Sequence, residues 1–155
     1  MSMDHGRFCG FLLTAGLVVF MVGAVGWRMG FQSPVLAETL RNVGSQSARW
    51  SWIHAWIAAG VLVTVAGLAA WVEVAREAGD RSRTPAGVTL YVVGAVLWLV
   101  AIAIRMTVQT WAAGEVLSGR GVPEIYPAIH RLAGLLYSAH MLPSYVSWDL
   151  LGFGL

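Results

Sequence analysis

Four stretches of the chain run without Asp, Glu, Lys or Arg: Phe8 to Trp27, Trp50 to Val72, Thr84 to Ile104 and Leu132 to Trp148. Crossing about 30 Å of hydrocarbon takes about 20 helical residues, and lipid leaves no partner for an open backbone. The pattern therefore predicts helices over about 8–27, 50–73, 86–110 and 130–153. The alternating ten-residue pattern of a membrane barrel is absent. The expected fold is an all-α integral membrane protein, one four-helix transmembrane bundle over residues 1–155.

The first apolar run exceeds the 7 to 15 residues typical of a leader's apolar region, although Ala24-Val25-Gly26 would suit a peptidase. With Asp4 offsetting Arg7, an uncleaved anchor is expected. Between the helices, Arg28 to Arg49 and Ala112 to Pro127 read as two longer loops on one side, and Glu73 to Arg83 as a short charged turn on the other. After Pro34, the residues Val35, Leu36, Leu40 and Val43 alternate weakly with Glu38 and Arg41, so this stretch is expected at the interface. Arg7, Arg76, Arg81 and Arg83 on the turn side face Arg28, Arg41, Arg49 and Arg120 on the other. The tally is even; the tight cluster in the short turn leans toward an inside N-terminus.

Cys9, Gly16, Gly23 and Gly30 recur every seven residues, nearly two helical turns, and so share one face of the first helix. Gly60, Thr64, Gly67 and Ala70 make a similar path on the second. Such stripes admit a neighbouring backbone closely. Trp27, Trp50, Trp52, Trp71 and Trp111 fall near helix ends, where indole favours the interface. Pro143 is expected to kink the fourth helix.

Composition narrows the class further. Only 12% of residues are charged, against about 25% in soluble domains, so a soluble monomer is excluded. All ten basic residues are Arg and form no stripe, which excludes a nucleic-acid footprint. With Cys9 alone, there is no disulfide framework or thiolate metal cage. Ser144 and Ser147 lack a nucleophile motif, and no acid lies among the His residues.

The remaining chemistry lies in ionisable residues at membrane depth, which are costly and usually face a bundle interior or snorkel. His54, Arg105, Gln109, His130 and Arg131 are expected at similar depth near the long-loop side, with Tyr137 on the face of His130 and His140 deeper. His54 and Arg105 are expected to form a polar pocket with His130 or Arg131. The plain reading gives these residues structural roles, with His130, Arg131 and Arg105 anchored at headgroups and His140 bonded to a carbonyl. The sharper reading is haem b between the imidazoles of His54 and either His130 or His140, with Arg105 and Arg131 on the propionates. A quinone held by His, Tyr137 or Gln109 is its variant. The broader functional expectation is a non-catalytic, multi-pass membrane subunit that sits in membrane lipid and packs through small-residue helix faces against other membrane subunits or itself; the alternative is a redox subunit binding haem b or quinone.

Overall fold

The computed structural model describes residues 5–27 and 31–152. Asp4, Arg28, Gly30 and the segment beyond Gly152 lie outside the described residues, as does the Trp27 side chain, so the expectations resting on them find no structural counterpart. Every element among the described residues is helical: α1 (His5–Trp27), α2 (Leu36–Ser45), α3 (Ser47–Glu77), α4 (Arg83–Ile104), a π-helical turn (Arg105–Gln109), α5 (Thr110–Leu117) and α6 (Tyr126–Leu150). Three helices are long and apolar enough to cross a membrane: His5–Gly26, Ser47–Glu77, and Arg83–Leu117. The expected fourth span forms a helix of 25 residues, α6, but is not among them. Its His130, Arg131, Ser138, His140, Ser144, Ser147 and Asp149 dilute its apolar character.

Two helix pairs make up the body, and glycine builds both. On α1 and α3 the small-residue stripes meet each other. A methyl group at Gly60 would lie 2.5 Å from the Phe20 backbone nitrogen, one at Gly16 would lie 2.8 Å from the Thr64 nitrogen, and one at Gly23 would lie 2.9 Å from the Ile53 carbonyl. Cys9 completes the seam by donating its thiol to the Gly67 carbonyl at 3.2 Å. These stripes therefore close a contact within the chain. On α4 a methyl at Gly94 would meet the Ser144 hydroxyl at 2.6 Å and the His140 carbonyl at 3.0 Å, while Gly87 lies against Leu150 and Leu151. The sequence of these contacts makes α4 and α6 antiparallel. α1 pairs chiefly with α3 and α4 chiefly with α6, and the join between the two pairs is sparse.

The expected loops are more ordered than sequence suggested. In the first, Leu36–Ser45 is a helix that buries Thr39, Leu40 and Val43. The second does not begin at Ala112: the helix runs on to Leu117, because Ala112, Ala113 and Val116 are buried and Leu117 packs over Gly44 of α2. Together α2 and α5 cap one end of the bundle, where a buried apolar cluster joins Phe31, Leu40 and Val43 to Trp50, Ile53 and Ile102. Trp50 accordingly sits in this core, 3% exposed, and not at an interface, while Trp52 and Trp111 are exposed.

Helix ends are chemically marked. Gly79 (φ 95°) and Gly119 (φ 83°) adopt the left-handed conformation that closes α3 and α5, with Asp80 N–H reaching the Ala75 carbonyl and Arg120 N–H reaching that of Glu115. Asp80 then opens α4, accepting from the Ser82, Arg83 and Thr84 amides and from the Thr84 hydroxyl at 2.6 Å. That hydroxyl above all, and then the amides, hold the Asp80 carboxyl down to about 2. α6 continues through Pro143, and the Ser144 hydroxyl donates to the His140 carbonyl at 2.8 Å beside it.

Candidate functional site

The π-helical turn sets the position of Arg105. A π turn inserts a residue into the helical repeat, disturbs the ladder of backbone bonds and recurs at functional sites. Side chains take up carbonyls around it: Thr107 donates to Ala103 at 2.7 Å, Thr110 to Met106 at 2.8 Å, and the Trp50 indole of α3 to Arg105 at 3.2 Å. One turn further along α3, the His54 ring lies 4.2 Å from that of Trp50 and donates from Nδ1 to the Trp50 carbonyl at 2.8 Å. Because a carbonyl only accepts, this bond places the proton on Nδ1, and the neutral ring carries its lone pair on Nε2.

His54 and Arg105 line one cavity of about 340 Å³, whose α6 member is Tyr137. The Arg105 guanidinium lies 5.8 Å from the centre of the Tyr137 ring, within cation–π range. Gln32 adds an amide, and Phe20, Ala24, Ile57, Trp98, Ala101 and Ile102 complete an apolar wall. Arg105 is the one Arg, Lys, Asp or Glu among the described residues of this lining. The volume falls at the lower end of small-ligand pockets, and the mixture of apolar wall with a few convergent polar groups is typical of them.

The depth of the cavity follows from helix rise. Counting from the charged turn, His54 stands about 28 Å from Glu73 along α3, and Arg105 about 33 Å from Arg83 along α4. A hydrocarbon layer of about 30 Å whose near edge was that turn would have its far edge at these two residues. Arg105 is not at a helix end as the sequence implied, since the helix continues through α5, and its side chain turns into the cavity.

The other expected site residues fall elsewhere. Gln109 is buried in the π turn without lining this cavity. His130 is exposed at the start of α6, with Nδ1 3.3 Å from the Tyr126 hydroxyl, and Arg131 beside it is exposed. His140 is buried, bonded through Nδ1 to the Tyr137 carbonyl and stacked on Trp98 at 4.6 Å with the planes 21° apart. It lines a separate cavity of about 230 Å³ with Ser144 and Trp148. Neither cavity is lined by two histidines, and no group of three or more His, Cys, Asp or Glu able to hold a metal occurs among the described residues.

Sequence reasoning missed Trp98, Phe20 and Gln32. Trp98 had a signal: a tryptophan far from either end of an apolar segment brings an N–H to a depth where partners are scarce. Compared with known protein families, curated proteins and solved structures, the chain matches none. Its class rests on its own geometry: an all-helical protein with three membrane-length apolar helices and a cationic, aromatic cavity.

Proposed function

We propose that this is a four-span integral membrane protein with its N-terminus inside, and that it works by holding a lipophilic ligand with a polar head in the His54–Arg105–Tyr137 cavity. It is a non-catalytic membrane subunit in this reading. Support for α6 as the fourth span comes from its register: it lies against Gly87 near the charged turn, against Gly94 midway, and against Arg105 through Tyr137. A helix alongside the whole apolar length of α4 shares its depth. For orientation, the support is the Arg76, Arg81 and Arg83 cluster in the short turn.

The observation that carries the functional reading is the cavity lining, in which His54, Arg105, Gln32 and Tyr137 converge on an otherwise apolar wall. The glycine stripes of α1 and α3 are joined to each other, which favours the exposed apolar side chains Phe11, Leu62 and Leu135 as the surface for lipid or a neighbouring subunit.

Native mass spectrometry of protein extracted gently from membranes tests the reading. Wild type should retain a lipophilic molecule at one per chain that Arg105→Ala and His54→Ala lose. Identical, non-stoichiometric lipid adducts on all three proteins would overturn it.

A further inference from the structure

A separate polar site lies between α4 and α6. His140 is 7% exposed and donates from Nδ1 to the Tyr137 carbonyl. With no Asp or Glu among the described residues lining its cavity of about 230 Å³, the buried ring is neutral and carries its lone pair on Nε2. No group among the described residues donates to that Nε2. The Trp98 ring stacked on it lines the same cavity, and its indole N–H likewise meets no acceptor among the described residues. One acceptor and one donor thus stand side by side, and the fold uses neither. A methyl at Gly94 would lie 3.0 Å from the His140 carbonyl, and Gly94 stands about 16 Å from Arg83 along α4. In the four-span arrangement this is the middle of the hydrocarbon, where water is scarce and an unused hydrogen-bonding group is costly. Met141 and Tyr145, exposed on the outside of α6, also line the cavity, so at that depth it opens to lipid.

The geometry points to a binding site for the phenolic head of a membrane-borne lipophile, its hydroxyl donating to His140 Nε2 and its ring held among Trp98, Tyr91 and Trp148. The inference rests on the four-span arrangement and is independent of any ligand at Arg105. A lone pair on Nε2 requires a donor, which a phenol has and a quinone, ketone or ether lacks. The phenol oxygen can in turn accept from the Trp98 N–H. A phenol is also uncharged, in keeping with a cavity that has no Asp, Glu, Lys or Arg among its described lining. A carboxylate would set its negative charge against the lone pair. The walls select the ring: Tyr91, Trp98 and Trp148 offer aromatic faces and edges, which a flat aromatic head fills and an aliphatic alcohol does not. The cavity is several times the roughly 30 Å³ that one water takes up in the liquid, so it has room for such a head.

The test is equilibrium binding of radiolabelled para-dodecylphenol to the full chain in phosphatidylcholine nanodiscs, with nitrogen NMR of labelled histidine beside it. Saturable binding at one per chain is expected, with para-dodecylanisole, the same shape without the donor, weaker as a competitor by about tenfold or more. The phenol should move one Nε2 resonance, the one missing from His140→Phe, and the anisole should leave it in place. Trp98→Phe, which keeps a ring and removes the N–H, should weaken binding by a few-fold, and Arg105→Ala should leave it unchanged. Whichever of decylhydroquinone and dodecylphenol competes better distinguishes a quinol from a monophenol as the source, and decylquinone should compete less than decylhydroquinone. Equal competition by phenol and anisole, or by quinol and quinone, would overturn the hydroxyl at Nε2, and equal competition by dodecanol would overturn the aromatic head. Absence of saturable binding would leave the cavity to water and overturn the inference, as would loss of binding in Arg105→Ala, which would move the phenol to the other cavity. A nitroxide on Tyr145→Cys checks the arrangement on its own: relaxation by oxygen and not by a nickel chelate is expected, and the reverse would overturn α6 as a span whatever the binding shows.

Discussion

The indole of Trp50 donates to the main-chain carbonyl of Arg105 at 3.2 Å, joining α3 to the π-helical turn that aims Arg105 into the cavity. The same Trp50 accepts from His54 through its own carbonyl, so the two polar groups of the site are oriented by one residue in the buried cluster beneath the α2–α5 cap. Trp50→Phe keeps the ring and removes the donor. A loss of about 1 kcal/mol is expected, seen as a fall of a few degrees in the unfolding midpoint of detergent-purified protein. An unchanged midpoint would mean that the bond does not hold the turn.

Glycine substitutions should separate structural seams from open faces. At Gly60 a methyl would press on the Phe20 backbone, which cannot move without parting α1 from α3. Gly60→Ala is expected to destabilise by about 1–3 kcal/mol. Nothing lies within 4 Å of a methyl at Gly134, so Gly134→Ala on α6 should be neutral or stabilise by about 0.4–1 kcal/mol. Equal effects of the two in thermal unfolding would contradict the seam.

Topology is open to an impermeant thiol reagent. Cys9 is fully buried and should stay unlabelled, so Val35→Cys and Arg81→Cys can be read in its presence. These two exposed positions are expected on opposite sides of the membrane, with Arg81→Cys protected in sealed, right-side-out cells. Labelling of both from one side would remove the spanning arrangement of α3.

Acid stability should depend on Asp80. Its folded carboxyl is held at about 2 against an ordinary 3.8, first by the Thr84 hydroxyl and then by the amides at the start of α4. A depressed carboxyl contributes stability that is fully present above the ordinary value and is lost as pH falls through the folded one. Wild type should therefore lose this contribution between about pH 4 and pH 2, and Asp80→Asn should flatten that part of the profile. Parallel acid profiles for the two proteins would show that the cap does not contribute.

What was legible in the sequence was whatever depends on local repeat. Uncharged runs located α1, α3, α4 and α6, and the spacing of Gly16 with Gly23 and of Gly60 with Gly67 located the closest backbone approach. Depth counting also paired His54 with Arg105. Rotation about each helix axis was not legible. His130 and Arg131 share the depth of the site but lie on exposed faces, whereas Tyr137, two turns further into α6, reaches the Arg105 guanidinium. The π turn itself was hidden, because Arg105 to Gln109 carries no breaker and its Arg105 and Met106 carbonyls find partners in the distant Trp50 and in Thr110. Helix α5 read as part of the Ala112 to Pro127 loop, because the burial of Ala112, Ala113 and Val116 depends on α2 packing across them rather than on local sequence.

Ligand-linked stability tests the central claim, that the His54–Arg105–Tyr137 cavity seats the polar head of a lipophilic ligand, most directly. Wild type and Arg105→Ala are unfolded thermally as gently extracted, after delipidation, and after return of the total lipid extract of their membranes. A ligand that binds only the native state stabilises it. The account predicts that delipidation lowers the wild-type midpoint by several degrees, that the extract restores it, and that the Arg105→Ala midpoint changes little throughout. Equal shifts in both proteins, or no shift in either, would contradict it.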